Sequence, residues 1–295
     1  MQDNRTDKAA NPGKLKDYLQ LIKFTLSFMV VFSTVVCYLL APNVTFDFLQ
    51  VLLLFVGGLL VTGSSNAVNQ VLEMDTDKLM KRTANRPVAS ARMSVKEAQT
   101  FAVVAGIIGV GIMWYFFNWQ SAMLSLFSHL LYSFVYTPLK KVNSIAVLVG
   151  AIPGALPCLI GWVAGTGEFS MGGWILFAIQ FLWQFPHFWA IAWLAHEDYS
   201  TAGFKLLPHQ GGPTKSTALR TIMYSMLMVP VGYLPYYFHI SGYVSMWILL
   251  VSNLVMVYLS VKLYIGMGKK EARMVMFGSY FYLMIVFIAL YADKI

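Results

Sequence analysis

Charge is scarce in this sequence. Only 12% of its 295 residues are Asp, Glu, Lys or Arg, against about 25% in ordinary soluble domains. Residues of the hydrophobic set make up 58%. That imbalance excludes an ordinary soluble fold and makes lipid the main solvent. Cysteine is nearly absent: Cys37 and Cys158 stand alone inside apolar runs, which excludes a disulfide framework and a zinc site built on paired cysteines. Acids are fewer than bases, 13 against 21, for a net charge of +8. The excess does not form a nucleic-acid surface, because the bases sit in short clusters between apolar stretches. Nor does the stretch from Met1 to Lys23 carry the apolar core and cleavage site of a secretory signal. Residues 1–23 read as a polar cytoplasmic tail, ahead of a single transmembrane domain over 24–295.

A helix that crosses a bilayer needs about 20 mostly apolar residues. The sequence predicts nine such segments, at 24–41, 48–72, 97–117, 120–137, 144–164, 171–195, 218–238, 241–264 and 273–291. The third and fourth are parted only by Asn118-Trp119-Gln120. Lys and Arg favour cytoplasmic loops, and nine spans put every basic residue except Lys294 on one side. The expected fold is therefore an all-α, polytopic membrane bundle with its N-terminus in the cytoplasm and its C-terminus outside. Two loops on the cytoplasmic side, 73–96 and 196–217, carry both signs of charge, so polar chemistry is expected there.

The first of these loops follows Asn69-x-x-x-Glu73-x-x-x-Asp77. Residues four apart share a helix face, so the three form a stripe of oxygen ligands, with Asp75 beside it. Carboxylates this close repel one another unless a cation offsets them. Hard oxygen ligands suit Mg²⁺, which binds one or two carboxylates and shares substrate phosphates. Arg82 and Arg86, again four apart, offer guanidinium forks that match phosphate oxygens. The competing reading is a solvated loop whose acids and bases pair with one another.

The second loop follows a span that contains His187 and ends at Glu197-Asp198. Eleven residues make about three turns, so His187 and Asp198 share a face, with His187 about 16 Å deeper. A histidine inside a span serves as a ligand, a proton carrier or an interhelical hydrogen bond, and all three readings are open. Tyr136 and Lys140 close the fourth span. They suit diphosphate oxygens, or else anchor the span at the membrane surface. Lys23, where the first span begins, reads the same way.

These residues resemble the UbiA superfamily of intramembrane prenyltransferases, whose Asn-x-x-x-acid-x-x-x-Asp motif is matched by Asn69, Glu73 and Asp77. More narrowly, the chain is similar to the branch of that superfamily that farnesylates heme. The matching segments run from Asn69 to Pro87, from Pro186-His187-Phe188 to Asp198-Tyr199, from Tyr136 to Lys140, and from Gly150 to Trp162. The branch's usual Lys-Pro-Arg at the first span reads Lys23-Phe24-Thr25 here. The superfamily's second pair of acids is only partly matched at Glu197-Asp198.

The resemblance implies a UbiA-like bundle in a bacterial inner membrane, with its site facing the cytoplasm. It implies transfer of a farnesyl group from farnesyl diphosphate to a vinyl group of heme b, with addition of water. Mg²⁺ would sit at Asn69, Glu73, Asp77 and Asp198, and Arg82, Arg86, Tyr136 and Lys140 would hold the diphosphate. His187 would contact heme or handle a proton. A heme A synthase or a terminal oxidase would use the product. Two rivals are a prenyltransferase acting on a quinone precursor and an ion-coupled transporter. The Pro186-His187-Phe188 segment speaks against the first. The lack of an internal repeat, with acids only at the span ends, speaks against the second.

Overall fold

The computed structural model describes residues 13–209 and 211–295. Most of the predicted polar tail lies outside the described residues. Its last part is folded rather than extended, as helix α1 (Lys14–Leu21), which buries Asp17 and Leu21. Arg92 fixes α1 in place, donating to Asp17 Oδ1 at 2.9 Å and to Gln20 Oε1 at 2.7 Å. The chain then bends by 52° into α2 (Phe24–Leu40). The bend turns on Lys23, whose φ is +48°.

The rest is helical. The elements are α3 (Phe48–Leu72), α4 (Met74–Leu79), α5 (Val95–Phe116), α6 (Trp119–Leu130), a π-helical turn (Leu131–Tyr136), α7 (Thr137–Leu139), α8 (Ala146–Thr166), α9 (Met171–Leu194), α10 (His196–Thr201), α11 (Lys215–Tyr237), α12 (Tyr243–Gly266) and α13 (Lys269–Ala292). Seven helices among the described residues are long and apolar enough to cross a membrane, counting α6 through α7 as one. The bent pair α1–α2 makes an eighth if it is one span. Helix α11 has 23 residues and packs between α9 and α12, but it is too polar to join them by composition.

Successive long helices pack side by side, and α13 returns against α2 and α9. Helices α8 and α9 are the most enclosed of the seven. Helix α8 approaches α2 so closely that a Cβ on Gly161 would stand 2.0 Å from the carbonyl oxygen of Thr34. At the turn between α5 and α6, Asn118 accepts from the Ser121 backbone N–H at 2.8 Å and donates to the Val163 carbonyl at 2.8 Å. One side chain thus caps α6 and ties it to α8.

Prolines inside helices remove a backbone donor and crowd the carbonyl four residues earlier. Pro138 would crowd the Phe134 carbonyl, and the wider π-helical turn lies there. Pro157 leaves the Pro153 carbonyl without its helical partner, and Ser128 Oγ donates to that oxygen at 3.3 Å.

Lys294 is the basic residue that fell outside the cytoplasmic clusters in the sequence. Its Nζ donates to the carbonyls of Leu39, Ala41 and Val44, at 2.7, 2.8 and 3.0 Å. It caps the C-terminal end of α2, where backbone carbonyls lack helical partners.

Candidate active site

The oxygen stripe crosses a break in the helix. Helix α3 ends at Leu72, Glu73 is the hinge residue, and α4 restarts at Met74. The backbone bonds nonetheless step by four, from Glu73 N to Asn69 O at 3.0 Å and from Asp77 N to Glu73 O at 2.7 Å. The stripe therefore keeps one face. All three side chains are buried: Asn69 is 0%, Glu73 4% and Asp77 0% exposed.

Each of the three is met by a cation from a different part of the chain. Lys23 Nζ donates to Asn69 Oδ1 at 2.7 Å. Lys140 Nζ closes on Glu73 Oε1 as an ion pair. Arg86 Nη1 donates to both oxygens of Asp77, at 2.8 and 2.7 Å. The Asn69 amide is oriented from its other end too, since Nδ2 donates to Thr137 Oγ1 at 3.2 Å. Glu73 Oε1 is buried, and Lys140 is its ion-pair partner among the described residues.

Burial pushes the Asp77 carboxyl above its ordinary range, against the opposing pull of Arg86. Burial likewise lowers the Lys140 ammonium, against the opposing pull of Glu73. In both, desolvation outweighs the partner.

Aromatic rings wall the cluster. Lys140 Nζ lies 4.9 Å from the centre of the Tyr136 ring and 5.4 Å from that of Phe204. Tyr136 has room only because residue 150 is glycine, where a Cβ would stand 2.5 Å from the ring. The loop after α10 is held close by the backbone, with Lys205 N donating to Lys140 O at 2.7 Å. Arg82 Nη2 donates to Tyr199 Oη at 3.3 Å.

Asn69, Glu73, Asp77, Arg86, Tyr136 and Lys140 thus come together, with Arg82 at the rim. Asp198 lies on α10, half-buried, and its carboxylate makes no bond to the cluster among the described residues. No three His, Cys, Asp or Glu side chains among the described residues stand in a metal-holding group. The acids here are occupied by the cations. Asp75 and Glu197 are exposed and paired with Lys78 and Lys269.

His187 makes no bond to the cluster among the described residues. Its Nδ1 bonds Ser279 Oγ of α13 at 2.8 Å, and its ring stacks on Trp183 at 4.8 Å. Trp183 Nε1 donates to the Ser279 carbonyl at 2.7 Å, so both rings bind one residue of the neighbouring helix. Lys23 is the residue whose reading stayed open in the sequence and which the fold brings into contact with the stripe. Its only signal was its position at the start of the first span.

The donor set fits Mg²⁺. It consists of hard oxygens, two carboxylates and one amide oxygen, all buried on one face.

Comparison with known proteins agrees with this chemistry. Residues 30–289 match the UbiA prenyltransferase family. A protoheme IX farnesyltransferase of Cytophaga hutchinsonii is 45% identical over 283 residues, covering 96% of this chain and 99% of that protein. Another from Flavobacterium johnsoniae is 41% identical over 288 residues, covering 94% of each. Among solved structures, digeranylgeranylglyceryl phosphate synthase superposes with a TM-score of 0.79 at 22% identity, covering 95% of this chain and 98% of that one. A UbiA homologue from Archaeoglobus fulgidus, bound to GPP and Mg²⁺, superposes with a TM-score of 0.64 at 16% identity, covering 93% and 99%.

Proposed function

We propose that this chain, which belongs to the UbiA prenyltransferase family, transfers the farnesyl group of farnesyl diphosphate to a vinyl group of heme b. The observation that carries the reading is the threefold match of Lys23, Lys140 and Arg86 to Asn69, Glu73 and Asp77. Such a site is built for two partners of opposite sign, a metal ion and a diphosphate. The identity of the acceptor is supported by the relatives named protoheme IX farnesyltransferase.

In the reaction the bond between farnesyl C1 and the diphosphate oxygen breaks. The terminal vinyl carbon attacks C1, and the cation left on the inner vinyl carbon takes the oxygen of water, which loses a proton. The products are heme O and diphosphate. Asn69, Glu73 and Asp77, together with Asp198, would hold Mg²⁺, which would supply positive charge against the departing diphosphate.

The side chains do the rest. Arg86 turns from Asp77, Lys140 from Glu73 and Lys23 from the Asn69 amide to the diphosphate, and Arg82 with Tyr136 completes its shell. The rings of Tyr136 and Phe204, which already face one cation, shield the allylic cation from water and attract it. His187 acts as a tie between α9 and α13, away from the diphosphate.

The chain crosses a bacterial cytoplasmic membrane nine times, with α2 and α11 as spans, so that the site faces the cytoplasm. An enzyme that oxidises heme O, or a terminal oxidase, takes up the product. Purified protein incubated with heme b, farnesyl diphosphate and Mg²⁺ should yield a product of heme O mass. Absence of that product, with or without metal, would overturn the reading.

A further inference from the structure

A second cavity, of about 180 Å³, lies behind α10. Its lining includes His196, Tyr199, Ser200, Phe204, Lys205 and His209. Two of these residues also belong to the wall of the first cluster. Tyr199 Oη accepts from Arg82, and the Phe204 ring faces Lys140. The two sites therefore share Tyr199 and Phe204.

The cavity offers donors without acids. Two histidines and one lysine are among its lining residues, together with apolar Leu206 and Leu207, and no acidic residue is; the Ser200 hydroxyl is taken, donating to the Glu197 carbonyl at 3.0 Å. The neighbouring Glu197 is exposed and engaged with Lys269 at 2.8 Å. Such a lining suits an anion carried on a short hydrocarbon arm.

The donors are aimed by the backbone. Gly211 N–H donates to His209 Nδ1 at 3.1 Å, so the neutral ring carries its own proton on Nε2. That nitrogen donates to an anion and has no lone pair for a metal. Gly212 lies against the other imidazole. Its φ is +112°, and a Cβ there would stand 3.0 Å from His196 Nε2. Glycine alone lets the loop close on that ring. Lys205 is pinned by its backbone to Lys140, the residue that holds Glu73.

We infer that this cavity anchors the propionate carboxylates of the heme acceptor, through Lys205, His209 and His196. The inference rests on the reading of heme b as acceptor and gives that reading a direction. Porphyrin carboxylates and vinyl groups lie on opposite edges of the ring. Holding the acid edge behind α10 turns the vinyl edge toward the farnesyl carbon at the first cluster.

The test compares heme b with its dimethyl ester, which keeps the iron and the vinyl groups but lacks the negative charges. Binding of each to the full chain in detergent is followed by Soret titration. The ester should bind the wild-type protein about 10- to 100-fold more weakly than heme b, the loss expected for charge-assisted hydrogen bonds. Lys205→Ala and His209→Ala should each weaken heme b about tenfold, leave the affinity for the ester unchanged, and leave binding of farnesyl diphosphate unchanged.

Equal affinity of the wild-type protein for heme b and ester would overturn the anchor. So would variants that lose both ligands alike. A change of Soret position in His209→Ala, with the ester bound as tightly as heme b, would make this histidine an iron ligand instead and also overturn it. A wild-type protein that binds neither ligand overturns the acceptor reading itself, which separates that failure from failure of the anchor.

Discussion

Lys23 and Asn69 meet at the mouth of the bundle, the ammonium of one donating to the amide oxygen of the other at 2.7 Å. The contact joins the hinge between α1 and α2 to the end of α3. It also supplies a cation at the buried amide. Lys23→Met should therefore weaken farnesyl diphosphate binding about 10- to 100-fold, the effect of one charge-assisted bond. Heme affinity should stay unchanged. Equilibrium binding of the two substrates measures both, and undiminished diphosphate binding would remove Lys23 from the site.

The Arg86–Asp77 pair separates structure from chemistry. Asp77 is wholly buried, and Arg86 is its double donor. Arg86→Ala leaves a buried carboxylate without its partner, a change that costs about 3–5 kcal/mol and should lower the thermal midpoint. Adding Asp77→Asn should restore much of that stability and none of the activity. Asp77→Ala alone should reduce transfer to below about a hundredth, since an electrostatic group of this kind supplies about 10²–10³ in rate, while heme still binds. Undiminished turnover in that variant would remove the metal from this residue.

Acid should weaken Mg²⁺ binding earlier than ordinary carboxylates predict. Burial holds the Asp77 carboxyl above its usual 3.8, so the metal-free protein keeps a proton there at a pH where an exposed aspartate has lost it. Mg²⁺ must displace that proton. As pH falls through the raised value, Mg²⁺ affinity should drop, and it should recover as pH rises. Calorimetric titration in two buffers of different ionisation enthalpy reads the proton released, and no release near the onset of the drop would contradict the assignment.

Gly161→Ala should destabilise the protein without touching the site. The added Cβ would meet the carbonyl oxygen of Thr34 at 2.0 Å, a backbone atom that cannot step aside. Helices α2 and α8 must then separate, at a cost of about 1–3 kcal/mol for overpacking. Thermal unfolding in detergent measures this, and an unchanged midpoint would mean that the two helices are less tightly apposed.

His187→Ala should act on stability in a different way. It removes the bond to Ser279 and the stack on Trp183, for a loss of about 1–3 kcal/mol. The Michaelis constant for heme should hardly move. A folded His187→Ala protein that no longer binds heme would return this histidine to the acceptor site.

Much of this was legible in the sequence because lipid imposes length and polarity together. The second predicted span, 48–72, has the same limits as α3, and the others differ from their helices by a few residues. The stripe at Asn69, Glu73 and Asp77 was visible from its spacing, which survives the break at Glu73 because the backbone bonds still step by four. What stayed hidden depends on bends. Nothing local marks Lys23 as a left-handed hinge, yet that conformation puts its ammonium on Asn69 rather than at the membrane surface. The short helix α1 was hidden in a polar tail because its buried groups, Asp17 among them, are satisfied by Arg92, far along the chain. The pairing of Asn69 with Lys23 and of Glu73 with Lys140 is tertiary, and spacing carries no trace of it, whereas Arg86 on Asp77 is a pairing within the loop of the kind the competing reading expected.

The clip formed by Lys294 on the end of α2 has a temporal side. The carbonyls of Leu39, Ala41 and Val44 wait for a donor that lies 255, 253 and 250 positions further along the chain. During synthesis, α2 is made long before that donor. Its end must meanwhile find other hydrogen-bond partners. The seam between α2 and α13 is thus a late event in assembly. It closes a circle of helices whose neighbours have already met, as expected when contacts distant in sequence form after local ones.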